Sequence, residues 1–218
     1  MLRTTATERG PIVAFANTKG GVGKTTSVLQ TAAGLVRLGR RVEVRDIDPS
    51  GQATAWAQTA AKTGDPLAFP VLPANMRSVG QPADDPATWV LIDTPPLQAE
   101  VIDAAVSAAD IVILVTCPGA LDLQRMLETS RVLGKPSSVL LTQTRPGTRA
   151  TRDARHFLTG HHLARFDTEI PFREALRRAA LTADTPAATG YGLVAAELIA
   201  ALDPVDEANE HLRQPMDQ

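Results

Sequence analysis

The stretch Ile12–Gln30, IVAFANTKGGVGKTTSVLQ, decides the reading of the whole chain. It opens with an apolar run, Ile12–Ala16, breaks at Gly20, Gly21 and Gly23, and resumes at Lys24 with a helical pattern. Strand, glycine turn and helix in that order make an anion cradle. Glycine lets backbone N–H groups converge on phosphate oxygens with no Cβ in the way. The helix points its positive N-terminal end at the same anion. Gly20, Gly21, Val22, Gly23, Lys24, Thr25 and Thr26 are thus expected to hold phosphate, Lys24 reaching the terminal groups and the Thr25 hydroxyl ligating Mg²⁺. The strict pattern G-x-x-x-x-G-K-[ST] asks for glycine where this chain has Thr18. The loop is therefore a variant, KGGVGKTT, with a second lysine, Lys19, that phosphate binding by Lys24 leaves unexplained.

Working outward, short β-rich runs alternate with longer helical patterns. Strands are expected at Ile12–Ala16, Val42–Asp46, Trp89–Asp93, Ile111–Thr116 and Val139–Thr142, with weaker ones at Leu67–Leu72 and Phe166–Ile170. Helices are expected at Lys24–Leu38, Gln52–Lys62, Glu100–Ala108, Leu121–Leu133, Thr148–Leu158, Arg173–Ala180 and Leu193–Leu202. Runs such as IVILV are apolar on both faces, as in a parallel sheet covered by helices on each side. The expected fold is a doubly wound, mostly parallel α/β sheet of the P-loop NTPase kind. Residues 1–202 would form a single domain, with 203–218 an acidic, fraying tail.

Two acidic strand ends complete the site. VEVRDIDPSG, Val42–Gly51, closes a strand with Asp46 and Asp48, at the end where ligands sit in open α/β sheets. WVLIDTPP, Trp89–Pro96, is an apolar strand ending in Asp93, an arrangement that holds Mg²⁺ beside a phosphate loop.

With these residues in place, the chain resembles the ParA/MinD family of deviant Walker ATPases. The resemblance runs from about Pro11 to Leu202. It implies ATP hydrolysis with ATP and Mg²⁺ as cofactors and a homodimer that forms on nucleotide. Lys19 corresponds to the family's signature lysine, which reaches across the dimer to the partner's nucleotide. A cation supplied at developing phosphate charge has the logic of an arginine finger. By the same resemblance Asp48 positions the attacking water and Asp46 supports the Mg²⁺ and lysine network, although Ser50 stands where the family usually has glutamine. LVTCPGALDL resembles a family segment beside nucleotide and dimer interface through Pro118 and Asp122. LLTQTRP, Leu140–Pro146, falls where the family builds part of its adenine pocket.

Composition separates the branches. The 218 residues include one cysteine, Cys117, and carry a net charge of −2. One cysteine argues against cluster-bridging iron proteins, cluster carriers and metalloid pumps, which need more thiols. The chain's end is acidic rather than a basic amphipathic helix, so no membrane attachment is expected of it. No apolar run approaches the roughly 20 residues of a membrane span. With no apolar signal core at the start, a cytoplasmic location is expected, nucleoid-associated when ATP is bound. About ten residues precede the first strand, so an N-terminal helix-turn-helix is not expected. Metabolic relatives with this loop, such as dethiobiotin synthetase, stay open only if Lys19 has no trans role. Between Arg145 and Arg178 arginines are dense, and Arg149, Arg152 and Arg155 recur at helical spacing. Arg145, Arg149, Arg152, Arg173 and Arg177 are the candidate DNA contacts, to phosphates rather than bases.

The function expected is DNA partitioning, stimulated by a ParB-like or other adaptor protein. The alternatives are a positioner of protein cargo and a MinD-type membrane-associated regulator. Trp56, Trp89 and Cys117 read as packing residues, and His161 and His162 as loop residues rather than ligands.

Overall fold

A computed structural model describes residues 9–182, 185–186 and 189–202. The acidic segment 203–218 lies outside the described residues. The elements, in chain order, are β1 (Ile12–Ala16), α1 (Lys24–Arg37), β2 (Val42–Asp46), α2 (Gln52–Lys62), β3 (Val71–Pro73), β4 (Trp89–Asp93), α3 (Ala99–Ala108), β5 (Ile111–Thr116), α4 (Ala120–Val132), β6 (Ser137–Leu141), α5 (Arg149–Gly160), α6 (Glu174–Thr182) and α7 (Tyr191–Leu202).

The strands form one six-stranded sheet in the order β3-β2-β4-β1-β5-β6, and every pairing is parallel. The expected doubly wound α/β fold is what forms. β1 lies between β4 and β5, with Phe15 opposite Asp93 on one side and Ile113 on the other. Alternation along β1 feeds two cores. Val13 and Phe15 pack with Val28, Leu29, Trp56, Tyr191 and Leu198, under α1, α2 and α7. Ile12, Ala14 and Ala16 pack with Ile102, Met126 and Leu158, under α3, α4 and α5. All five β1 residues are buried, which is why its sequence reads as an unbroken apolar run. Trp56 and Trp89 are both buried in the first core.

α1 and α7 approach closely because Gly34 lacks a Cβ. One placed there would stand 3.0 Å from the Ala195 Cβ and 3.0 Å from the Tyr191 carbonyl. β2 buries a charge pair on the face its valines do not use. Arg45 donates to Glu43 and to the carbonyls of Ser78, Val79 and Gln81, which ties down the loop before β4.

The two weaker strand expectations come out differently. β3 is three residues long, starting after Pro70, whose ring nitrogen cannot donate to a ladder. Phe166–Ile170 is not a strand. It is tied to β6 at its two ends, where Phe166 N–H donates to the Val139 carbonyl and Ile170 N–H to the Leu141 carbonyl, beside isolated bridges of Val139 with Arg165 and Thr144 with Pro171. The reason is a distant partner: Glu197 on α7 accepts the backbone N–H groups of Asp167 and Thr168, so these do not pair with a strand.

Candidate functional site

At the carboxyl ends of β1, β2, β4 and β6 lies a cleft of about 530 Å³. A doubly wound sheet opens such a crevice where the winding reverses. One wall is the turn Gly20–Gly23 and the first residues of α1. Gly21 and Gly23 take φ values of 76° and 89°, which suit glycine alone, and a Cβ on either would meet nothing within 4 Å. The turn thus presents bare backbone to open space. Gly23 caps α1 with no side-chain hydrogen bond, and the first turn has no acid. The orphan N–H groups and the positive helix end therefore remain available to an anion.

The loop is held from below by a residue that spacing did not single out. Asn17, buried at the end of β1, donates to the Val115 carbonyl on β5 and accepts from the Lys19 N–H at 2.7 Å. Thr142 and Gln143, after β6, complete the support. The Thr142 hydroxyl donates to the Val22 carbonyl and the Gln143 amide to the Gly21 carbonyl, each at 2.8 Å.

Lys24 is buried, and its Nζ donates to the Lys19 carbonyl at 3.2 Å. Burial pushes its pKa down, while the nearby Asp93 and Asp48 carboxylates oppose that. A cation so placed gains most from a second anion entering the cradle. Asp93 is fully buried, and neither carboxylate oxygen has a hydrogen-bond partner among the described residues. Burial pushes its pKa up to about 7, opposed by the Thr25 hydroxyl, which is close without meeting hydrogen-bond geometry. Asp46 and Asp48 raise it further, and Lys24 lowers it.

That donor set fits a divalent cation. The two orphan oxygens of Asp93 beside the Thr25 hydroxyl are hard ligands lacking a partner, and Mg²⁺ favours one or two protein oxygens completed by phosphates and water. Among the described residues no cluster of three or more His, Cys, Asp or Glu side chains could hold a metal unaided. Asp46 is differently committed. Its Oδ2 accepts from the Thr54 amide at 2.8 Å and the Thr54 hydroxyl at 2.7 Å, and its Oδ1 from the Asp48 amide at 3.3 Å. These contacts anchor the start of α2. Asp48 lines the cleft, with Oδ1 accepting from the Ser50 amide at 2.8 Å. It also borders a second hollow of about 560 Å³ against Pro73, Asn75 and Met76.

Lys19 turns away from the cleft lining. Its Nζ pairs with Asp122 at 2.8 Å, and Asp122 is buried on the first turn of α4. Pro118 and Asp122, expected beside nucleotide, do not line the cleft. Cys117 is half-buried and burial pushes its thiol pKa up, in keeping with a packing residue.

The far end of the cleft is lined by Ile170, Pro171, Phe172, Leu176 and Tyr191. Sequence reasoning missed them because no motif marks them: Ile170 and Leu176 fall in an expected strand and helix, and Pro171, Phe172 and Tyr191 between expected elements. Arg173 and Arg177 also line the cleft and are exposed. Arg145 lies over the Phe172 ring at 5.1 Å. On α5, Arg149 pairs with Asp153 at 3.4 Å, and Arg155 makes a two-point contact with Glu169 at 2.6 and 2.8 Å. Arg152 is exposed.

Residues 13–186 match the family model described as the CobQ/CobB/MinD/ParA nucleotide binding domain. The chain belongs to this family and is an ATPase of the ParA/MinD class. It is 37% identical over 180 residues to the maintenance of carboxysome distribution protein A of Gloeobacter kilaueensis, covering 78% of this chain and 81% of that protein. The chromosome-partitioning ATPase Soj of Thermus thermophilus is 34% identical over 131 residues, 47% of this chain and 53% of the relative. Among solved structures, the MinD cell division protein of Aquifex aeolicus superposes with a TM-score of 0.73 at 18% identity, covering 88% of this chain and 98% of that one.

Proposed function

We propose that this chain is a positioning ATPase that dimerises on Mg-ATP, binds DNA non-specifically, and releases it after hydrolysis stimulated by a ParB-like or other adaptor protein. The observation that carries this is the meeting of Lys24, Thr25 and Asp48 in one cleft, with the buried carboxylate of Asp93 close behind them. Mg²⁺, when bound, neutralises charge on the phosphate oxygens, and Thr25 and Asp93 would hold it. Lys24 and the loop amides of Gly20–Thr26 orient the phosphates. Asp48 lines up the attacking water. Lys19 leaves Asp122 to reach the nucleotide of a second copy, which makes nucleotide binding and dimerisation one event.

Partitioning of a plasmid or chromosome is the first reading of the cargo. A protein cargo has its own support, because the relative matched over most of both chains is named for carboxysome distribution. Among the described residues no helix is long and apolar enough to cross a membrane.

The test is Lys24→Ala examined by isothermal titration with Mg-ATP. Removing the cation from the cradle is expected to abolish binding. Unchanged affinity would overturn the assignment of the cleft. For the cargo, sedimentation with unrelated DNA fragments should retain the protein with ATP and release it with ADP.

A further inference from the structure

We propose that Thr54 is a positioning residue for ATP hydrolysis: its hydroxyl holds the Asp46 carboxylate, and that carboxylate holds the turn that carries Asp48. The inference rests on the reading of Asp48 as the residue that lines up the attacking water.

Asp48 borders the cleft on one side and the second hollow on the other. A side chain between two hollows is placed by hydrogen bonds more than by packing. Two of those bonds are internal to the turn. The Asp48 carbonyl accepts from the Gly51 N–H, and Asp48 Oδ1 accepts from the Ser50 N–H, each at 2.8 Å. They shape the turn without fixing it to the sheet. Two further contacts do fix it. The Ile47 N–H donates to the Asp93 carbonyl on β4 at 3.1 Å. Buried Asp46 takes the Asp48 N–H on Oδ1 at 3.3 Å, and on Oδ2 the Thr54 N–H at 2.8 Å and the Thr54 hydroxyl at 2.7 Å. One carboxylate therefore clasps both ends of the segment from Asp48 to Thr54.

The start of α2 explains why the carboxylate faces this way. Its N-cap is Gly51, which has no side chain to cap with, and its first turn has no acid. The Thr54 N–H is one of the orphan donors of a helix start. Asp46 supplies from the neighbouring strand the oxygen that a capping side chain would give, at the helix's positive end. The amide alone leaves the carboxylate free to swing about its Cβ–Cγ bond. A hydroxyl on the same oxygen is a second, charge-assisted tether that narrows the swing and keeps Oδ1 toward the Asp48 N–H. Thr54 lines the second hollow and not the cleft, so its effect belongs in turnover rather than in nucleotide binding.

The experiment measures Mg-ATP affinity by calorimetry and turnover by phosphate release for Thr54→Val, which keeps the side chain's shape and removes the hydroxyl. Affinity and KM should stay at their wild-type values. The expected fall in kcat is about tenfold, short of the roughly hundredfold that a misplacement of about 1 Å can cost. Thr54→Ser keeps the hydroxyl and should retain kcat. Thr54→Ala suits a helix and reads the same loss should valine disturb the fold. In an Asp48→Ala background, Thr54→Val should subtract nothing further, because residues that act through one another are not additive. Wild-type kcat in Thr54→Val or Thr54→Ala would overturn the proposal, and so would Thr54→Ser as slow as Thr54→Val. A raised KM with kcat kept, or a full further loss in the double variant, would overturn it too. Failure of the underlying reading shows separately, as Asp48→Ala turning over at the wild-type rate.

Discussion

Lys19 Nζ lies 2.8 Å from Oδ1 and 3.0 Å from Oδ2 of Asp122, so the lysine assigned to the partner's nucleotide is held by a carboxylate of its own chain. Gly119 makes room for this carboxylate, since a Cβ there would approach Oδ2 to 2.9 Å. The Lys19 side chain is 43% exposed, which keeps the pair weak enough to exchange. A pair of this kind contributes up to about 1 kcal/mol.

Asp122→Asn therefore should let the dimer form at lower ATP concentration, by up to about fivefold. Lys19→Ala should keep nucleotide binding by the monomer but lose the ATP-induced dimer. Light scattering across an ATP titration reads both. If Asp122→Asn needs more ATP than wild type, the carboxylate belongs to the dimer rather than to a resting contact.

Asp48→Ala should bind Mg-ATP and turn it over slowly, leaving a dimer that persists where wild type returns to monomer. Mixed with Lys19→Ala subunits, it should recover some activity, because its intact Lys19 can serve the other subunit's nucleotide. No recovery in demonstrated mixed dimers would remove the trans role of Lys19.

Asp93 has a consequence for stability without nucleotide. Its carboxyl is pushed from 3.8 up to about 7, so the folded chain binds its proton more tightly than the unfolded chain. The sign follows: stability should fall as pH rises from about 4 to about 7 and then level off, by roughly 1.4 kcal/mol for each tenfold change in proton affinity. Asp93→Asn should raise the melting temperature of the nucleotide-free protein at pH 8 and leave it little changed at pH 4. The same substitution should abolish Mg²⁺-dependent hydrolysis. Thermal melts across pH check the first part and phosphate release the second.

On α5 the arginines should separate by their partners. Arg152→Ala should weaken DNA binding equally across unrelated sequences and lower the log–log salt slope by roughly 0.9. Arg155→Ala should leave that slope unaltered, because its guanidinium is engaged by Glu169. Binding isotherms at several salt concentrations distinguish the two. An equal loss for both would place the DNA surface around Arg155 and Glu169 together.

The phosphate loop and the main strands were legible because each depends on local chemistry: bare glycines, an apolar run buried on both faces, an acid at a strand end. Asn17 was not legible, since its role lies in reaching Val115, 98 positions away. Phe166–Ile170 misled for the same kind of reason. Its residues suit a strand, but Glu197, 29 and 30 positions away, takes the N–H groups of Thr168 and Asp167. The pairing of Lys19 with Asp122 spans 103 positions and no spacing rule reaches it. Arginine spacing on α5 was read correctly as helical, yet spacing does not reveal which guanidinium is engaged by a carboxylate.

Because every strand runs the same way, the molecule has two rims of different use. Cleft, lysines and carboxylates gather where the strands end, whereas the turns at Leu38–Arg41, Ala109–Asp110 and Lys135–Pro136 sit where β2, β5 and β6 begin. Cys117, the chain's only cysteine, is half-buried with its thiol pKa pushed up, which makes it a slow nucleophile. A cysteine introduced on the quiet rim would then be the one site to take a fluorophore quickly. Single molecules could be followed through loading, dimerisation and release with the dye on the side opposite the chemistry.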